Sequence, residues 1–174
     1  MGALVRRRRG WRGWKRSNHG SRGLAPSRLL DGVRPDQPAL DQALQISNRA
    51  VSVGFEWDCF GDVLDKVAEE LDELREAYAQ APKDAGGHVL DGPAAREVAL
   101  ELGDVLFSVV NVGRKIGLSS EESLHATCAK FRSRWECMED LAAAMGRGVD
   151  ELSTDELEEL WQEAKRRERA ASGA

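Results

Sequence analysis

The chain has 174 residues, 41% hydrophobic and 32% charged with five prolines, a balance that suits a one-domain, soluble helical protein better than a sheet. No apolar run reaches the roughly 18 to 20 residues of a membrane span. Three cysteines without a C-x-x-C spacing and three scattered histidines argue against a disulfide framework and a zinc site, and for a reducing, cytoplasmic compartment. The net charge of −5 hides an asymmetry: nine of the 25 basic residues precede Asp31, where no acid occurs, which leaves 16 basic against 30 acidic residues in the remainder, a balance of −14. Such an acidic body argues against nucleic-acid binding.

Residues 1–23, rich in Arg, Gly, Ser and Trp without a period, read as a disordered basic tail, and 24–38, with three prolines and a D-G pair, as a linker. A first helix follows Pro38 and carries Ala39, Leu40, Ala43, Leu44, Ile46, Ala50 and Val51. Gly54 breaks it, and Phe55 and Trp57 anchor a loop. From Phe60 to Gln80, Leu64, Val67, Leu71, Leu74 and Tyr78 form an apolar stripe bordered by Lys66, Glu70 and Glu73. The connection APKDAGGHVLDGPA reads as a mobile surface loop between antiparallel helices. The helix of Arg96 to Ile116 is apolar around nearly its whole circumference and is expected to be buried. One polar line interrupts it: Glu97, Glu101, Asp104, Ser108, Asn111 and Lys115, at spacings of three and four. Gly117 ends it, with Arg114 and Lys115 placed to favour the helix dipole.

Ser119 or Ser120 caps a fourth helix, Glu121 to Ala144, expected to present Leu124, Cys128, Phe131, Trp135 and Met138 to the core, with Lys130 and Arg134 on another face. Gly146 and Gly148 end it. S-T-D-E opens a last helix, Asp155 to Arg169, with Leu157, Leu160, Trp161 and Ala164, and residues 170–174 read as a disordered tail. The fold class is all-α.

Two carboxylates in a buried helix face are costly unless something positive meets them. Glu70 with Glu73, and Glu101 with Asp104, are both i, i+3 pairs, separated by 27 residues between Glu73 and Glu101. Four converging carboxylates repel by about 4 kcal/mol per close pair at an effective dielectric near 20. An oxygen-seeking divalent cation removes the conflict, Mg²⁺ being usual where waters and phosphates complete the shell.

VGFEWD, the K-x-x-E-E-L-D-E of Lys66 to Glu73, the E-L-G-D-V-L-F of Glu101 to Phe107, the KFRSRW of Lys130 to Trp135 and the closing ELWQEAKR together resemble the MazG nucleoside triphosphate pyrophosphohydrolases, and within them the C-terminal of two MazG domains. LLDGVRPDQPAL is similar to the linker before that domain. The resemblance implies a MazG-like four-helix bundle with an extra C-terminal helix over 39–169. It also implies Mg²⁺-dependent hydrolysis of a nucleoside triphosphate to monophosphate and pyrophosphate, and a homodimer or higher homo-oligomer. Carried over residue by residue, Glu70, Glu73, Glu101 and Asp104 would hold Mg²⁺, while Lys66, Lys130, Arg134, Trp161 and Lys165 would contact the nucleotide. Glu69 or Glu70 would serve as base. Leu100 stands where the family commonly has another acid, and the stretch from Ala81 to Ala95 is long. One domain with a basic start suggests a single-domain form or a coding frame that begins inside the linker. Two other readings fit: a narrower relative acting on dUTP, dCTP or phosphoribosyl-ATP, and a non-catalytic helical dimerisation or regulatory module.

Overall fold

A computed structural model describes residues 28–173. The basic tail 1–23 and the first linker residues lie outside the described residues. The elements in order are α1 (Ala39–Ser52), α2 (Phe60–Gln80), α3 (Pro93–Lys115), α4 (Ser120–Ala144), a 3₁₀ turn (Val149–Glu151) and α5 (Thr154–Ser172). The fold is all-α, and the extended pairing among the described residues is one antiparallel bridge between Lys83 and Val89. None of the described helices is long and apolar enough to cross a membrane. Residues 39–169, read as one helical domain from the sequence, fall into two compact units that divide between Glu121 and Glu122.

In the first unit α3 packs along α2 and against α1. The face of α2 that turns inward carries Val63, fully buried, and Glu70, 6% exposed, with Val67 and Leu74 half-buried between and beyond them. This corrects the expected stripe, since Leu64, Leu71 and Tyr78 are exposed. The same inversion holds for α3. Its interior positions are Ser108, Val110 and Asn111, whereas Leu100, Leu102, Leu106 and Val109 lie on the outside. So α3 is not enclosed all round; it turns its polar line toward α1 and α2 and part of its apolar surface outward.

The connection from α2 to α3, expected as a mobile surface loop, carries a set of its own hydrogen bonds. Lys83 donates Nζ to the carbonyl oxygens of Tyr78 and of Ala81 (2.7 Å for the latter), closing the C-terminus of α2. Asp84 accepts from the backbone N–H of Gly86 at 2.9 Å and of His88 at 2.8 Å, and Tyr78 Oη donates to the Gly87 carbonyl at 2.9 Å. At the other end of the helix pair, Gly54 takes φ +90°, a conformation that strains a residue with a Cβ, and turns the chain out of α1.

In the second unit Met138 and Ala142 of α4 and Ala164 of α5 are buried. Leu124, Phe131 and Trp135 are exposed, as is Cys128, so of the expected core positions on α4 Met138 is the one enclosed. Ser153 and Glu156 form the expected capping box of α5, with Ser153 N–H donating to Glu156 at 2.8 Å and Glu156 N–H to Ser153 Oγ at 3.3 Å. The helix continues to Ser172, so residues 170–172, read as tail, form its last turn.

Candidate active site

Helical spacing puts Lys66, Glu69, Glu70 and Glu73 along one edge of α2 and Glu101, Asp104, Ser108 and Asn111 along the facing line of α3. Where the helices meet, one oxygen each from Glu70, Glu101 and Asp104 lie within 4.8 Å of one another. Glu70 is buried, Glu101 half-buried and Asp104 exposed. Lys66 Nζ lies 2.6 Å from Glu70 and 3.2 Å from Glu69. Burial pulls the Lys66 ammonium down, but its hydrogen bonds to Glu70 and Glu69 outweigh burial and leave it above the usual lysine range. Glu73 is exposed and outside the group of three. Partial burial, then the charge of Glu70, push its carboxyl above the usual range, with Glu101 adding to the effect. Three carboxylates against one ammonium leave an excess of negative charge built wholly from oxygen donors, the chemistry of a hard cation such as Mg²⁺.

Glu70, Asp104 and Lys66 also line one side of a cleft of about 220 Å³ between α1, α2, α3 and the loop after α1. Phe55, Trp57 and Phe107 give it aromatic walls, while Ser47 and Asn111 supply a polar edge. A pocket lined by both aromatic rings and by two acids with a lysine suits a ligand that joins a planar ring to an anionic, metal-seeking group. The loop wall is pinned to α3. Arg114 forks onto Glu56 at 2.6 and 2.7 Å, and Lys115 Nζ donates to the Trp57 carbonyl at 2.7 Å. The Arg114 hydrogen bonds hold the Glu56 carboxyl below the usual carboxylate range, against a smaller upward push from burial. Arg114 and Lys115 are thus loop anchors, beyond the dipole role that their place at the helix end suggests.

The sequence-derived residues of the second unit gather in part. Arg134 donates Nε to Glu168 at 3.0 Å and its guanidinium sits 5.4 Å from the centre of the Trp161 ring, which in turn tilts against Phe131 at 5.0 Å. Lys130 is exposed and Lys165 half-buried. Ser47, Phe107 and Asn111 were not singled out as cleft residues by the sequence. The one available signal was Asn111 on the polar line of an otherwise apolar helix.

Comparison with known proteins places these residues in context. A family model described as the MazG nucleotide pyrophosphohydrolase domain matches residues 61–138. The chain is 37% identical over 139 residues to a nucleoside triphosphate pyrophosphohydrolase of Escherichia coli strain K12, covering 80% of this chain and 49% of that protein. It is 34% identical over 152 residues to a nucleoside triphosphate pyrophosphohydrolase/pyrophosphatase MazG of Thermotoga maritima, covering 87% and 54%. A third relative, an uncharacterized protein YabN of Bacillus subtilis, is 33% identical over 156 residues, covering 90% and 30%. The chain therefore spans about half the length of the first two of these curated relatives.

Proposed function

We propose, from the match of residues 61–138 to the MazG nucleotide pyrophosphohydrolase domain and the likeness to nucleoside triphosphate pyrophosphohydrolases, that the chain is a Mg²⁺-dependent nucleoside triphosphate pyrophosphohydrolase that cleaves between the α and β phosphates. The observation that carries this reading is the convergence of Glu70, Glu101 and Asp104 within 4.8 Å beside an aromatic-walled cleft that Glu70 and Asp104 themselves line. The donor set fits Mg²⁺: every ligand is a carboxylate oxygen, and Glu73 stands close enough to feel the charge of Glu70 and Glu101. When bound there, Mg²⁺ neutralises phosphate charge and makes a water more acidic.

The chain's own residues do the rest. Phe55, Trp57 and Phe107 hold the nucleobase between flat apolar walls, which sets the triphosphate toward the acids. Glu70 is committed to Lys66 and to the group of three, so of the two candidate bases Glu69, half of it in solvent and 3.2 Å from Lys66, is the one to take the proton of the attacking water. Lys66 orients both carboxylates. Lys130, Arg134, Trp161 and Lys165 are nucleotide contacts on the strength of the family motif, and within the second unit the Arg134 guanidinium lies 5.4 Å from the centre of the Trp161 ring.

The protein acts as a homodimer, with the outward apolar residues of α3 as part of the interface. Leu102 is 49% and Leu106 50% exposed, and such a row is a mark of an interaction surface. Free Cys59, Cys128 and Cys137 fit a reducing cytoplasm. The test is release of pyrophosphate from the eight common ribo- and deoxyribonucleoside triphosphates, dUTP and ITP, with Mg²⁺ and with EDTA. Mg²⁺-dependent monophosphate and pyrophosphate are expected; folded protein that is inactive on the whole panel defeats the proposal.

A further inference from the structure

One hydroxyl in the cleft is uncommitted. Ser108 of α3 is 5% exposed and lines the cleft together with Glu70, Asp104 and Phe107. A serine or threonine inside a helix often bonds back to the carbonyl one turn earlier, as Thr127 does to Ser123 at 3.0 Å. The Ser108 hydroxyl makes no such bond and has no other partner among the described residues. Among them, Gln37 Nε2 is the one enclosed side-chain atom left without a hydrogen bond. Ser108 Oγ is therefore not sealed in, and the surface it keeps belongs to the cleft that the residue lines.

The other polar groups around it are taken. Ser47 Oγ–H donates to Asn111 Oδ1, and the Asn111 amide is closed by Arg114 at 3.1 Å and by the Phe107 carbonyl at 3.0 Å. Lys66 pairs with Glu70 at 2.6 Å, and Glu70 and Asp104 belong to the group of three acids. Ser108 is left with one O–H and two lone pairs for a ligand.

Its place along α3 indicates which part of the ligand it meets. The order on the helix is Glu101, Asp104, Ser108, Asn111, then Arg114 and Lys115, and these last two fasten the loop that carries Phe55 and Trp57. At about 1.5 Å per residue, Ser108 stands about 6 Å past Asp104 along the axis and about 9 Å before Arg114. In a nucleotide the pentose joins the phosphates to the base. We propose that Ser108 is a specificity-determining residue for the sugar: its Oγ hydrogen-bonds a hydroxyl of the pentose of a nucleotide held in the cleft. The proposal rests on the reading that the cleft takes a nucleoside triphosphate.

Calorimetric titration of the full chain with ATP, 2′-deoxyATP, 3′-deoxyATP and 2′,3′-dideoxyATP tests this, with Ca²⁺ in place of Mg²⁺. Ser108→Ala, which suits a helix interior, is expected to weaken ATP about tenfold, the size of one hydrogen bond in a nearly buried place. Dideoxy-ATP, which has no hydroxyl to lose, stays within about twofold, and so does the monodeoxy analogue that lacks the partner hydroxyl. Ser108→Cys, close in shape but a weak donor, gives the same pattern should the alanine variant not fold. An equal loss for ATP and dideoxyATP, as a contact to base or phosphate or a merely structural role would give, overturns the proposal. So does unchanged ATP affinity in a folded variant, or a matching loss in Ca²⁺ binding without nucleotide. Wild-type protein that neither binds nor cleaves any nucleotide defeats the pyrophosphohydrolase reading instead.

Discussion

Lys66 and Glu70, one turn apart on α2, form a 2.6 Å ion pair in which the Glu70 side chain is 8% exposed and that of Lys66 30%. This pair makes a buried carboxylate tolerable while leaving the excess acid charge of Glu101 and Asp104 uncompensated.

Removing Lys66 therefore strands Glu70. Lys66→Met is expected to cost about 3 kcal/mol, read as a lowered unfolding temperature by scanning calorimetry. Millimolar Mg²⁺ should raise the melting temperature of the variant by more than that of the wild type, since the cation then supplies the missing positive charge as well as its binding free energy. Equal Mg²⁺ shifts in the two proteins would contradict the arrangement.

Glu101 is half-buried and on the proposed reading a metal ligand. Glu101→Gln keeps shape and packing but removes the charge, so turnover should fall at least about a hundredfold with the circular dichroism spectrum and melting temperature preserved. Activity retained in that variant would remove the mechanism.

Acid stability should report on the start of α5. The Arg147 hydrogen bond, aided by the backbone and side chain of Ser153, pulls Glu156 down to about 2. A carboxyl that binds its proton less readily in the folded chain than in the unfolded one adds stability that is complete above about pH 4.5 and lost as pH falls toward about 2. Melting temperatures measured from pH 5 to pH 2 should thus fall more steeply in the wild type than in Glu156→Gln. Parallel slopes would show that this contact carries no such linkage.

The outward row on α3 predicts assembly. Light scattering should give twice the 19.2 kDa mass of the chain, and Leu106→Glu, which places a charge in an apolar interface, should halve it. A wild-type monomer would refute the interface.

Element positions were largely legible from local pattern. The bounds of α2 agree with its periodic stretch because Cys59 N–H bonded to Asp62 at 3.0 Å and the extended Ala81 mark its ends. The start of α3 lies three residues earlier than its apolar pattern, since Pro93 serves as a first-turn residue, whereas within a Gly- and Asp-rich stretch it reads as part of a loop. Which face turns inward was not legible. Periodicity shows that Glu70 and Leu71 lie on different faces of α2, but the carboxylate goes inside because Lys66 accompanies it, and the leucine stays outside. Paired spacings pointed to four carboxylates, of which Glu70, Glu101 and Asp104 lie together and Glu73 does not; the cleft could not be read from them. Its edge depends on contacts such as Arg114 with Glu56 and Asn111 with Ser47, 58 and 64 positions apart, which no local period encodes.

The bonded turn between α2 and α3 bears on the order in which this chain acquires structure. Tyr78 to Gly87, Lys83 to Ala81 and Asp84 to His88 are all closures of nine residues or fewer, contacts that form fast and at small entropic cost. Closures this local favour alignment of the two helices ahead of distant contacts, and Glu70 and Glu101, 31 positions apart, are brought near by a local hairpin rather than by a search through the whole chain.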